Sequence, residues 1–179
     1  MRLITISVVL AMLAVACGST DATTTTTMDA VGEDSAAIYA VSLQQLVTED
    51  NGFSGTSNPF TELLVQTSLD PGAGSGTPGD GEIRPLTAGE RQAIEAALTP
   101  IAPVTWIDDP EEWRTEDLLP SVEGSAILGV GPITFDDDGA LVPMSMWCGG
   151  LCGTWFTYRV IQADAGWAVS GIEGPIAVS

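Results

Sequence analysis

The apolar positions of this chain follow three rhythms, and each predicts a different kind of element. An unbroken run from Leu3 to Val15 opens the chain behind Met1-Arg2, and small polar residues follow from Gly18 to Asp34, with threonine at every place from Thr23 to Thr27. Apolar residues then return at helical spacing. Tyr39, Leu43, Leu46 and Val47 share one face of a helix that Asp34 or Ser35 can cap and that runs to about Thr48. A second helix is signalled by Thr87-Ala88-Gly89-Glu90, a capping box in which each end residue satisfies the other's backbone N–H. Its buried stripe is Ile94, Ala97 and Leu98, and Pro100 ends it. Between the helices Leu63 to Thr67 reads as a strand, and after the second Val104 to Ile107 reads as another.

The last third alternates with period two. Ala126–Phe135, Ala140–Trp147, Thr154–Gln162 and Trp167–Ile172 read as strands of an antiparallel meander, with a short final strand at Ile176–Val178. Asp136-Asp137-Asp138-Gly139 and Asp164-Ala165-Gly166 supply the turns. If Cys148 faces Cys152, then Met146 meets Thr154, Met144 meets Phe156, Val142 meets Tyr158 and Ala140 meets Val160, all on one apolar face. A slip of one residue would exchange the faces, so pattern and pairing support each other. The predicted fold class is α+β: two helices packed on a mainly antiparallel sheet with a C-terminal β-meander. Residues 35–179 suit a single domain. The Gly- and Pro-rich stretch from Asp70 to Glu82 reads as a surface loop within it.

The opening run is too short for a permanent span, which needs roughly 20 residues. With Arg2 before it and Ala14-Val15-Ala16 after it, it has the layout of an export leader. Ala14-Val15-Ala16-Cys17 resembles the lipobox of bacterial lipoproteins. That resemblance implies a signal peptide over 1–16, acylation of Cys17 as the new N-terminus, and an extracytoplasmic domain held to the membrane by lipid. Simple secretion after Ala-x-Ala is the alternative. Residues 17–34 then form the lipidated cysteine and a flexible Thr-rich linker. The thiol count agrees: with Cys17 carrying lipid, Cys148 and Cys152 remain as a pair.

Charge narrows the function classes. The chain carries 24 acids against 5 arginines, with no lysine and no histidine. Such a surface repels nucleic acid and anionic lipid. A salty habitat explains it more simply than a cationic partner, because the acids are spread along the chain. The lack of histidine excludes a Ser-His-Asp triad and His-ligated zinc. The glycines of the 70–82 stretch lack the order and the lysine of a phosphate-cradling loop.

Cys148-Gly149-Gly150-Leu151-Cys152 reads as a structural disulfide rather than a redox pair or metal site, since nothing cationic adjoins it and further ligands are missing. Cys148 to Trp155, with Trp167, Gly171, Gly174-Pro175 and Ser179, resembles the C-terminal end of uncharacterised bacterial secreted proteins. That implies a recurring domain and no chemistry. Asp108, Asp109, Glu111 and Glu112, with Glu116-Asp117, surround Trp106 and Trp113. They offer paired carboxylates for glycoside hydrolysis or, more simply, a solvated loop. The Asp136–Gly139 turn lacks the glutamate an EF-hand requires, and Glu49-Asp50-Asn51-Gly52 reads as a helix stop. Trp155 and Arg159 fall on the sheet face away from the disulfide; they form a ligand surface or pack under the loop from Glu111 to Glu123.

The sequence thus points to a membrane-anchored lipoprotein without a catalytic site, cofactor or metal. The expected role is a binding module for a protein or small-molecule ligand. A cell-envelope hydrolase using Asp108, Asp109, Glu111 or Glu112 is the alternative.

Overall fold

The computed structural model describes residues 23–53, 59–81 and 83–179, with side chains of the first helix described from residue 32 onward. The expected leader and Cys17 lie outside the described residues. Helix α1 spans Thr23–Thr48, strand β1 Glu62–Gln66, helix α2 Ala88–Leu98 and strand β2 Val104–Ile107. A 3-10 turn at Pro110–Trp113 leads to β3 (Ser125–Val130), β4 (Thr134–Asp136), β5 (Gly139–Gly149), β6 (Cys152–Ala163) and β7 (Gly166–Val178). The strands lie in the order β2-β1-β3-β5-β6-β7, with β4 paired to one part of β5. Pairings of β1 with β2 and β3 are parallel, and all others are antiparallel. The α+β class with a C-terminal meander is as expected from the sequence.

Helix α1 begins eleven residues before Asp34, inside the threonine run that the sequence suggested as a flexible linker. Asp34 caps nothing there. Its carboxylate instead accepts a 2.9 Å bond from the Trp167 indole on β7, which ties the middle of the helix to the sheet. The helix stop is as the sequence suggested. Buried Asn51 donates from its carboxamide to the Val47 carbonyl at 2.6 Å, and Gly52 turns the chain at φ +78°. Beside it, the fully buried Tyr158 hydroxyl donates to Asp50 at 2.6 Å, fastening the helix end to β6.

The capping box of α2 forms as read: Thr87 accepts from the Glu90 amide at 3.2 Å, and Glu90 accepts from the Thr87 amide at 2.7 Å. Glu90 is buried and also binds Arg84 through two bonds of 2.7 and 2.9 Å. Burial raises its pKa, but the Arg84 and Thr87 hydrogen bonds outweigh burial and leave the carboxyl below its ordinary 4.5. A depressed folded pKa stabilises above the unfolded value and ceases to do so as pH falls through the folded one. Urea midpoints measured across the acid range should therefore drop below pH 4.5. Glu90→Gln should flatten that limb, and an unchanged slope would rule out the pair as its source.

The β5–β6 register agrees with the sequence pattern from Ala140↔Val160 to Met146↔Thr154. Ala140, Val142, Met144, Phe156, Tyr158 and Val160 are buried in one core with the apolar residues of α1 and α2, so both helices lie on one sheet face. Three expectations need correction. Cys148 does not face Cys152: Trp147 pairs Gly153, but Gly149 pairs Cys152, so Cys148 is the extra residue of a bulge. The strand expected from Ala126 to Phe135 breaks at Gly131-Pro132, since proline has no N–H for a ladder. The two pieces expected at the C-terminus form one strand, β7, whose pairing with β6 shifts twice.

Candidate functional site

Among the described residues no α-helix covers the second sheet face. Leu64, Ile107, Ile127 and Trp147 form a small apolar cluster there, with Trp113 and Trp155 packed against it. Two irregular segments lie over this face. The 110–121 segment brings Trp113 down onto it. The glycine-rich segment after Asp70 folds across β5 and β6 instead of extending from the surface: the Gly74 amide bonds the Met144 carbonyl at 2.9 Å, and Ala73 is buried. Only glycine permits this approach. At Gly74 (φ +88°) a Cβ would lie 3.0 Å from Pro143 and Thr157, and at Gly76 (φ +69°) 3.1 Å from the Trp155 ring.

Between the two segments is a cleft of about 410 Å³. Beneath its polar lining lies Gly129, buried in the otherwise apolar strand Ala126-Ile127-Leu128-Gly129-Val130. A Cβ on Gly129 would sit 2.5 Å from Ser145 Oγ, 2.7 Å from Gln66 Nε2 and 3.3 Å from Asp70 Oδ2. The space a side chain would need is already filled by these three polar groups, and glycine is what lets them meet at one point of the cleft. Asp70 is held by the Gly72 amide, which donates to Oδ1 at 2.8 Å, while the Ser145 hydroxyl donates to Oδ2 at 3.3 Å. The Gln66 carboxamide makes no hydrogen bond to any described residue, so its donor and acceptor are both unspent.

The walls are aromatic and charged. Trp147 lies on one side with the Arg114 guanidinium 4.6 Å from its ring centre. Arg114 also forms an ion pair with Glu111, while its Nε is buried without a partner. Trp155 is half-buried, its ring lying over Gly153 and under Gly76. A larger, shallower groove of about 750 Å³ beside Trp106 is walled mainly by side chains of α2, with no comparable polar convergence.

The residues singled out from the sequence distribute unevenly around this cleft. Trp155 lines it. Arg159 shares the same face but not the site, and the two do not form one ligand surface. Arg159 donates to Glu173 at 2.8 Å and to both Asp136 oxygens at 2.7 Å, a clamp between the β4–β5 turn, β6 and β7. The hydrogen bonds to Glu173 and Asp136 hold its pKa above the usual arginine value, and the same bond holds Asp136 below the usual carboxylate range.

Asp108, Asp109, Glu111 and Glu112 are all exposed. Asp108 accepts from Thr67 at 2.6 Å, Asp109 caps the 3-10 turn through the Glu111 amide, and Glu111 is paired to Arg114. Among the described residues no group of three or more His, Cys, Asp or Glu is arranged to hold a metal ion.

Cys148 and Cys152 are bonded, with Cα atoms 5.0 Å apart. The bridge immediately follows Trp147 and immediately precedes Gly153, so it closes the end of the hairpin that carries one cleft wall and the seat of the other. Replacing both cysteines by alanine should cost about 2 kcal/mol in the loop-entropy account of so small a ring. Chemical denaturation under oxidising conditions measures this, and no loss would remove any structural role for the bridge.

Gln66, Asp70, Gly129, Ser145 and Arg114 were not identified from the sequence. One signal was present: a glycine inside an apolar strand marks a close approach or a ligand. Comparison with protein-family models, with curated proteins and with solved structures gave no match.

Proposed function

We propose that this protein is an exported, lipid-anchored binding module that holds a small molecule in the cleft over Gly129. The leader over 1–16 is removed, Cys17 carries the lipid, and the acidic domain faces away from the membrane. The convergence of Gln66, Asp70 and Ser145 in the lining of one cleft carries the reading. Small-molecule sites combine a concavity of about 300–1,000 Å³, apolar surface and a few aimed polar groups; the cleft has the volume and the polar groups, with Trp147 and Trp155 as its aromatic surface. Among the described residues no helix is long and apolar enough to cross a membrane, which is compatible with a lipid anchor. Binding is favoured over hydrolysis because Glu111 is paired to Arg114, which leaves Asp70 as the single unpaired carboxylate in the lining, where glycoside hydrolysis uses two.

Two measurements test this. Mass spectrometry of the mature protein should find diacylglycerol on Cys17, and Cys17→Ala should release the domain into the medium. An unmodified Cys17 ends the anchor reading. For the cleft, a fragment library screened by NMR should shift the indole N–H signals of Trp147 and Trp155. Gly129→Ala, whose methyl must push aside the Ser145 hydroxyl and the Gln66 carboxamide, should weaken those shifts while leaving a folded spectrum. Fragments that bind equally well to Gly129→Ala would place the site elsewhere.

A further inference from the structure

We propose that the cleft takes a neutral saccharide, its hydroxyls held by Gln66, Asp70 and Ser145 around Gly129; this rests on the binding reading above. The first ground is the donor and acceptor inventory. A carboxylate only accepts, a carboxamide presents both functions side by side, and a serine hydroxyl does either. A ligand that donates and accepts from adjacent carbons satisfies that set, and sugar hydroxyls have this property. Gln66 lies open to such a partner, with neither side of its carboxamide engaged.

The second ground is charge. Glu111 neutralises Arg114, leaving Asp70 as the uncompensated charge at the cleft floor of a strongly acidic chain. A phosphate or uronate would be repelled. Charge alone would admit an organic cation. Recognition of such a cation relies on an open aromatic face, however, and Trp147 already presents its face to Arg114 at 4.6 Å. At Trp155 the Gly76 backbone lies against the ring. What the tryptophans still offer is apolar wall, which suits the C–H groups of a sugar ring.

The test uses calorimetry on the oxidised domain with four neutral probes: maltose, cellobiose, lactose and N,N′-diacetylchitobiose. Choline and glucuronic acid serve as charged controls. At least one neutral disaccharide should bind, with affinity lowered about five- to tenfold by Gln66→Ala and by Asp70→Asn. Gln66→Ala removes no hydrogen bond of the fold, so it remains informative if Asp70→Asn loosens the glycine-rich segment. Tighter binding of choline or glucuronate than of every neutral probe would overturn the proposal, as would neutral binding indifferent to Gln66→Ala. Fragments that occupy the cleft while all four sugars fail would refute the saccharide and leave the binding reading standing. Failure of both sugars and fragments would end both.

Discussion

Phe156→Ala should cost about 3–5 kcal/mol of folding stability. Phe156 is 2 % exposed and pairs with Met144 on β5. Its ring meets that of Tyr158 edge to face, with centroids 4.8 Å apart. Removing the ring leaves a void between the sheet and its helical cover and withdraws that aromatic contact. Against a total of about 5–15 kcal/mol for a domain, the loss moves the urea midpoint far toward water. Leu151→Ala is the control: Leu151 is 94 % exposed at the hairpin tip and should change nothing measurable. If Phe156→Ala also fell within about 1 kcal/mol of the parent, the helix-covered face would not be the principal core.

Gly139→Ala should cost about 2–5 kcal/mol, combining a backbone strain with a steric one. Gly139 opens β5 at φ +137°, and a Cβ there would stand 2.3 Å from the Val160 carbonyl oxygen and 3.3 Å from Ile161 Cα. Both obstacles are backbone of the neighbouring strand, so relief requires moving β6. Gly166→Ala separates the two contributions. Gly166 also has positive φ, at +116°, but its Cβ would meet nothing within 4 Å. The difference between the two variants in calorimetric or urea unfolding therefore reports the clash. Equal losses would mean that β6 yields freely at Val160.

The features legible in the sequence were those whose physics is local. Thr87 and Glu90 lie one helical turn apart, so their box could be read from four letters. The β5–β6 pairing was legible because counting back from a Cys148–Cys152 hairpin end gave a register that period-two alternation supports, burying Met144, Phe156 and Tyr158 together. The cleft was hidden for the opposite reason. Gln66, Asp70, Gly129 and Ser145 come from distant parts of the chain, and only the adjacency of β1, β3 and β5 assembles them. Trp155 and Arg159 were correctly placed on one face. Yet four residues of strand separate them by about 13 Å, too far for one small site. The bulge at Cys148 likewise depends on where the chain turns, which five residues of mixed glycine and cysteine do not dictate.

The sheet order has a consequence for how the polypeptide acquires its shape. Leu43, Leu46, Ile94 and Leu98 are made early, but they are buried in a core shared with β3, β5 and β6. β1 is likewise flanked on one side by β3, from much later in the chain. A nascent chain leaves the ribosome amino end first. Its greasy helical stripes can meet each other early, but the sheet that covers them is incomplete until the final hairpins emerge, and the long-range pairings then close slowly. The order of synthesis therefore leaves the two helices waiting for their cover, and the core closes only when the last third of the chain arrives.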